Sequence, residues 1–342
     1  MPSLSESLSN LCPAARVHVH DILEHAILHA PGAPALIVWD GNSELARILT
    51  DAYRHCLPDA VELCFDSVPA AQILEAFAAL APGALVVLIQ STSFRLGEFR
   101  IRVELFKRGL KVIEHPHLGR MPEAEYPAYV DALAYDPAYY RGVGAELKRR
   151  IDSASGATIF GGGESLVYES GFEPAKLNVG DYSNLANVGG QFPIGEVFTE
   201  ARDLERVHGK VRIFVFGDVN FRVNVPKAPI CLEIAQGKVV NVSDSTPDFD
   251  CVLAQIRAEE ELWVRELGFG MNRALTPKRR VSDIGTYERM CGIHLSLGAK
   301  HGVYAKPNLS RRHSRFHVDV FAVTDSVLLN DETVFRDGHW CV

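Results

Sequence analysis

Along the first third of the chain, apolar and polar positions follow two alternating rhythms. Residues 35–39, 60–65, 84–89 and 110–113 are short, nearly continuous apolar runs, as expected of strands buried on both faces. Between them, residues 43–55, 70–80 and 96–108 carry apolar side chains at helical spacing. Strands separated by helices imply a parallel sheet covered on both sides. Charged helical segments follow at 123–134, where Pro127 predicts a break or a first turn, and at 138–153.

Past the turn Gly161-Gly162-Gly163-Glu164 the chain becomes strand-rich. Strands are expected at 210–216, 221–225 and 230–234, a hairpin where Gly237-Lys238 leads into 239–242, and a helix at 248–265. Residues 315–321 alternate apolar with polar, so they are expected to form a strand with His317 and Asp319 on one face. The pattern therefore predicts an α/β protein in two parts. Residues 1–155 form a Rossmann-like parallel-sheet domain and residues 156–342 a mixed α+β domain.

Composition narrows the class. The 35 Lys and Arg against 43 Asp and Glu give a net charge of −8, which argues against nucleic acid and anionic membrane as partners. No apolar run reaches the roughly 18 residues that span a bilayer, and residues 1–6 lack the pattern of a signal peptide, so the expected location is the cytoplasm. Seven scattered cysteines, none in a Cys-x-x-Cys pair, indicate neither a disulfide framework nor a structural zinc site; most are expected to be small buried hydrophobes.

Candidate chemistry is unevenly placed. In the first half, Asp40-Gly41-Asn42-Ser43 reads as a helix cap, lacking the glycine pattern of a dinucleotide site. His18, His20, His115 and His117 come without further ligands nearby and are expected at the surface or at caps. In the second half, polar residues stand inside apolar sequence. Glu196 follows a Pro/Gly turn and precedes an apolar run, Glu266 lies in the frame Leu267-Gly268-Phe269-Gly270, and His294 lies in Gly292-Ile293-His294-Leu295. A carboxylate or imidazole at such a position is costly unless paired or metal-bound. With His317 and Asp319 they make three acids and two imidazoles in one domain. That mixture of hard oxygen and borderline nitrogen donors suits Zn, Mn, Co or Fe, and about five donors satisfy two ions ~3.5–4 Å apart.

The segments Phe192–Thr199, Glu266–Asn272, Gly292–Gly298 and His317–Asp319, followed by Leu328–Gly338, occur in the order seen in the thermophilic aminopeptidase family, the aminopeptidase T and S type with its leucyl-aminopeptidase-like members, which this chain resembles from about Leu177 to Gly338. The resemblance implies a metalloaminopeptidase-like hydrolase in which Glu196, Glu266, His294, His317 and Asp319 hold two divalent ions (Zn, Co or Mn) and cleave a short peptide or amino-acid derivative. It also implies a homodimer. Glu266 is the acid expected to join in catalysis. The family's tyrosine beyond the histidine matched by His294 falls here near Lys300-His301, which leaves His301 or Tyr304 as oxyanion stabiliser or proton donor. Lys300, Lys306, Arg311, Arg312, His313 and Arg315 form a basic run that could clamp a substrate carboxylate.

Two alternatives remain open. The same family is similar to a ring-cleaving 2,5-dihydroxypyridine dioxygenase group that uses one Fe(II) on two histidines and a carboxylate; retention of both Glu196 and Glu266 favours hydrolysis here. The other alternative is a non-catalytic homologue that binds a metabolite.

Overall fold

Five strands lie parallel in the order Val61–Cys64, Ala35–Trp39, Leu85–Ile89, Lys111–His115 and Gly189–Gln191. The apolar runs form these strands because the inner ones are buried on both faces: every residue of Leu85–Ile89 is inaccessible. On one face Leu36, Val38, Val86, Leu88 and Val112 pack with Ile73 and Phe77 of helix Ala70–Ala79 and Leu105 of helix Ile101–Lys107. Each such side chain contributes ~1.5–3 kcal/mol of burial. These elements belong to the first of two compact units in a computed structural model that describes residues 4–307, 309 and 314–342, with side chains from Leu11 onward. That unit comprises Met1–Tyr140, Gly180–Ile194 and Val281–Asp283.

Two expectations for this unit are corrected and one element is new. The helix expected at 96–108 starts at Ile101, because Leu96 and Phe99 close a tight turn around Gly97, whose φ is +58°. A helix at Leu4–Asp21, not anticipated, packs on helix Glu44–Cys56 through the Arg16–Asp51 ion pair at 2.8 Å. His115, expected at the surface or a cap, is fully buried between two phenols: its Nε2 lies 2.8 Å from the Tyr53 hydroxyl and its Nδ1 3.0 Å from that of Tyr129. Desolvation pushes the ring's pKa down to about 3, so it stays neutral. The Asp40–Ser43 turn is a cap. Asp40 accepts from the amides of Asn42 and Ser91 at 3.0 and 2.7 Å, and Ser43 Oγ from that of Ala46 at 3.2 Å.

The second unit, Arg141–Val179, Gly195–Arg280 and Ile284–Val342, is built on a large antiparallel sheet. Its central strands run in the order Val207–Gly217, Val318–Ala322, Gly292–Leu297, Val264–Gly270, Glu196–Glu200 and Lys176–Asn178. The fold class is thus mixed α/β, a parallel sheet with helices and a large curled antiparallel sheet. Gly162 and Gly163, at φ +59° and +83°, close a hairpin between Ala157–Gly161 and Glu164–Tyr168.

The helix expected at 248–265 ends at Arg257. Beyond it Glu260 turns back to accept the amides of Ala299, Arg315 and Phe316 at 2.7, 2.9 and 3.2 Å, and the chain re-enters the sheet as Val264–Gly270. Two of the seven cysteines, Cys231 and Cys291, are buried and all are unpaired, so most are not the buried hydrophobes expected. Among the described residues no helix is long and apolar enough to cross a membrane.

Candidate metal centre

Four neighbouring strands carry the candidate ligands. Glu196 opens its strand directly after Gly195, whose φ of +118° turns the chain inward, and pairs in register with Gly270. On the next strand the register slips between Val264 and Leu267, so that Arg265 and Glu266 together stand opposite Ser296. This bulge frees the Glu266 amide from the ladder; it donates instead to Ser296 Oγ at 2.9 Å. His294 stands opposite Gly268, where a β-carbon would meet the imidazole Cε1 at 2.0 Å. Gly268 is therefore explained by the close approach of a histidine ring, and Gly270 by the Met290 carbonyl, which a β-carbon there would meet at 1.9 Å. Asp319 pairs with Ser296 on the fourth strand. That strand begins at Val318 rather than 315, which leaves His317 at its threshold; its Nε2 still lies 3.2 Å from Asp319 Oδ1.

The five side chains converge. His294 Nε2 is 3.2 Å from Glu196 Oε1 and 3.5 Å from Glu266 Oε1. Two groups, Glu196–Glu266–His294 and Glu266–His317–Asp319, each bring three potential ligand atoms within 4.8 Å of one another, and Glu266 belongs to both. His294 Nε2 and Asp319 Oδ1 are buried and make no aligned hydrogen bond despite these short separations. Polar atoms this close together could hold a cation between them. His317 Nδ1 lies 3.1 Å from the Lys300 carbonyl, to which it donates, and its Nε2 is then free to ligate.

The electrostatics are those of acids and imidazoles sharing protons in a confined space. Burial would lower His317, but the charges of Asp319 and Glu266 lift it to about 10. Burial likewise opposes the charge on His294, while Glu196 and Glu266 raise it well above the ordinary imidazole value. Glu266, which desolvation would raise, is held well below the carboxylate range by His294 and His301. Burial pushes neighbouring Glu288 up to about 8 against the pull of Arg289, with Glu196 and Asp319 adding to the rise.

Of the two candidate donors, His301 reaches the cluster. Its Nε2 lies 3.0 Å from Glu266 Oε2, and its Nδ1 accepts from the amides of Val303 and Tyr304 at 3.1 and 3.4 Å. An Nδ1 used as acceptor puts the proton of the neutral ring on Nε2. Tyr304 instead donates its hydroxyl to the Pro174 carbonyl at 2.7 Å, so that group is already committed. Among the basic residues, Lys306 is not a free clamp: it pairs with Glu173 at 2.6 Å and Glu200 at 3.3 Å. Arg315 pairs with Glu259. Lys300 and Arg315 line a cavity of about 510 Å³ together with His317, Phe221 and Val219. Arg311, Arg312 and His313 lie outside the described residues.

Sequence reasoning missed two features. Arg289, buried, donates from NH1 to Glu196 Oε2 at 2.9 Å and to Glu288. Behind the bulge, Arg265 donates to Glu200 at 2.6 Å and to the carbonyls of Ala299 and Tyr304, tying down the loop that carries His301. Neither could be read locally, since Glu200 and Arg265 are 65 residues apart and Glu196 and Arg289 are 93 apart. The acid–base pair Glu288-Arg289 beside an apolar run was the available signal.

The fold has a counterpart among solved structures. It is similar to wild-type AmpT from Thermus thermophilus, with a TM-score of 0.60 and 16% identity over 96% of this chain and 99% of that one. At that identity the likeness establishes the fold. No family model matches the sequence, and no curated protein does.

Proposed function

We propose that this chain is a metal-dependent hydrolase of aminopeptidase type, acting on the amide of a short peptide or amino-acid derivative through two divalent ions (Zn, Co or Mn) held by Glu196, Glu266, His294, His317 and Asp319. The observation that carries it is Glu266, which belongs to both ligand groups and so has the position of a bridging carboxylate. The resemblance of its motifs to the aminopeptidase T and S family supports the class, and the fold likeness to AmpT is consistent with it.

Divalent ions held there would polarise a carbonyl and acidify a water. The chain's own residues supply the rest. His301 Nε2 lies 3.0 Å from Glu266 Oε2 without an aligned hydrogen bond to it, so its N–H stands beside the cluster, where it can donate to the oxygen that gains charge as the amide is attacked. Arg265 and Glu200 hold the backbone at Ala299 and Tyr304, on either side of His301, and so limit its movement. Lys300, whose carbonyl orients His317, offers its ammonium to a substrate carboxylate in the adjoining cavity.

The test is metal analysis of purified protein together with Glu196→Ala. Two-ion stoichiometry, and release of amino acid from short peptides that the substitution abolishes, are expected. Absence of bound metal with unchanged activity in the variant would sink the reading. The Fe(II) dioxygenase alternative predicts oxygen uptake after anaerobic iron loading, and each ligand group here has one histidine and two acids rather than the reverse. The silent-homologue alternative predicts metal binding without turnover.

A further inference from the structure

Arg289 reaches one half of the ligand cluster. Its guanidinium is buried, and NH1 donates to Glu196 Oε2 at 2.9 Å. Glu196 belongs to the group with His294 and Glu266; among the described residues, no guanidinium is hydrogen-bonded to His317 or Asp319 of the other group.

Two consequences follow for a cation. Glu196 keeps one uncommitted oxygen, Oε1, the atom 3.2 Å from His294 Nε2, so it can offer a single donor where a free carboxylate could offer two. A cation entering beside it also meets a fixed positive charge one carboxylate away. At an effective dielectric near 20, unit charges about 5 Å apart alter an affinity by about a hundredfold or more. Glu288 accepts from the same NH1.

We propose that the two half-sites are unequal by construction. The Glu266–His317–Asp319 set fills first, and the Glu196–Glu266–His294 set binds its ion at least about tenfold more weakly, because Arg289 already compensates Glu196. The proposal rests on the reading of the cluster as a two-ion centre. It makes occupancy a function of metal supply: the chain holds one ion when metal is scarce and two when it is plentiful. Arg289 is here a positioning residue that acts through Glu196.

The experiment uses Mn²⁺ alone, added to metal-stripped protein. Calorimetry is expected to show two steps at least about tenfold apart. Anomalous scattering from crystals grown with one equivalent should place density among Glu266, His317 and Asp319. Arg289→Gln should tighten the second step by about tenfold, and Arg289→Lys, which keeps the charge, should keep the gap. Equal occupancy of the two positions in the wild-type protein at one equivalent, or first density beside Glu196 and His294, would overturn the proposal while leaving the metal centre intact. No binding at either position would overturn both. The wild-type crystals decide the matter even where Arg289→Gln does not fold.

Discussion

Gly268 and His294 face each other across two paired strands, and a β-carbon on Gly268 would stand 2.0 Å from Cε1 of the imidazole. The missing side chain is what lets the ring lie where its Nε2 meets Glu196 and Glu266. Gly268→Ala is expected to displace the ring, weaken metal binding by about 10–100-fold and destabilise the fold by ~1–3 kcal/mol. Mn²⁺ titration and urea unfolding of the variant check both parts. Unchanged affinity would mean that His294 is not a ligand.

The two candidate donors separate in the same way. His301→Phe removes the N–H beside Glu266 and is expected to lower kcat by about 10²–10³ with metal content unchanged. Tyr304→Phe removes a hydrogen bond to the Pro174 carbonyl and should cost ~1 kcal/mol of stability with little effect on kcat. Steady-state kinetics alongside thermal melts of both variants distinguish them; a larger kcat loss in Tyr304→Phe would reverse the assignment.

How much of this was legible in the sequence depended on how locally each feature is encoded. The parallel strands were readable because burial on both faces writes itself as an apolar run, as in Leu85–Ile89. Helix Leu4–Asp21 did leave a signal: Ala15 and Val19, with Ile22 of the π-helical turn that follows, recur at helical spacing and are fully buried. Pro13 and the alternating histidines disguised it. Strand Val264–Gly270 was mistaken in part for a helix end, since its bulge puts the polar pair Arg265-Glu266 where alternation should be. The five candidate ligands stood out as polar residues in interior sequence, and their grouping came from the order of the motifs. Arg289 and Glu200 could not be found that way, because their importance lies in partners supplied by other strands.

Metal binding should expel protons. Without a cation, His317 titrates at about 10 and His294 well above its ordinary value, so both are protonated at pH 7.5, whereas a ligating imidazole must be neutral. Loading is expected to release roughly two protons, and affinity should rise with pH up to about 10. Calorimetry in buffers of different ionisation enthalpy reads the number directly; a heat independent of buffer would contradict it. In the metal-free protein the sign for stability runs the same way. The folded pKa of His317 is raised, so its contribution is complete below pH 6.5 and is lost as pH climbs through about 10.

His115 predicts the opposite dependence. Its folded pKa of about 3 lies below the unfolded value of 6.5, so the unfolded chain takes up a proton first and stability falls as pH drops between those limits. From pH 7 to pH 5 this group alone should cost about 2 kcal/mol. Urea unfolding at the two pH values, for wild type and His115→Gln, should show a smaller loss in the variant; equal losses would contradict the assignment.

The central claim is that the Glu196–Glu266–His294–His317–Asp319 cluster is a metal centre for amide hydrolysis. Its most direct test is to strip the protein with a chelator, restore Zn²⁺, Co²⁺ or Mn²⁺ in steps, and measure amino acid released from short peptides against ions bound. Release that is absent from the stripped protein and grows with occupancy is the predicted result. Full occupancy of both positions with no release from any peptide in a broad panel would contradict it.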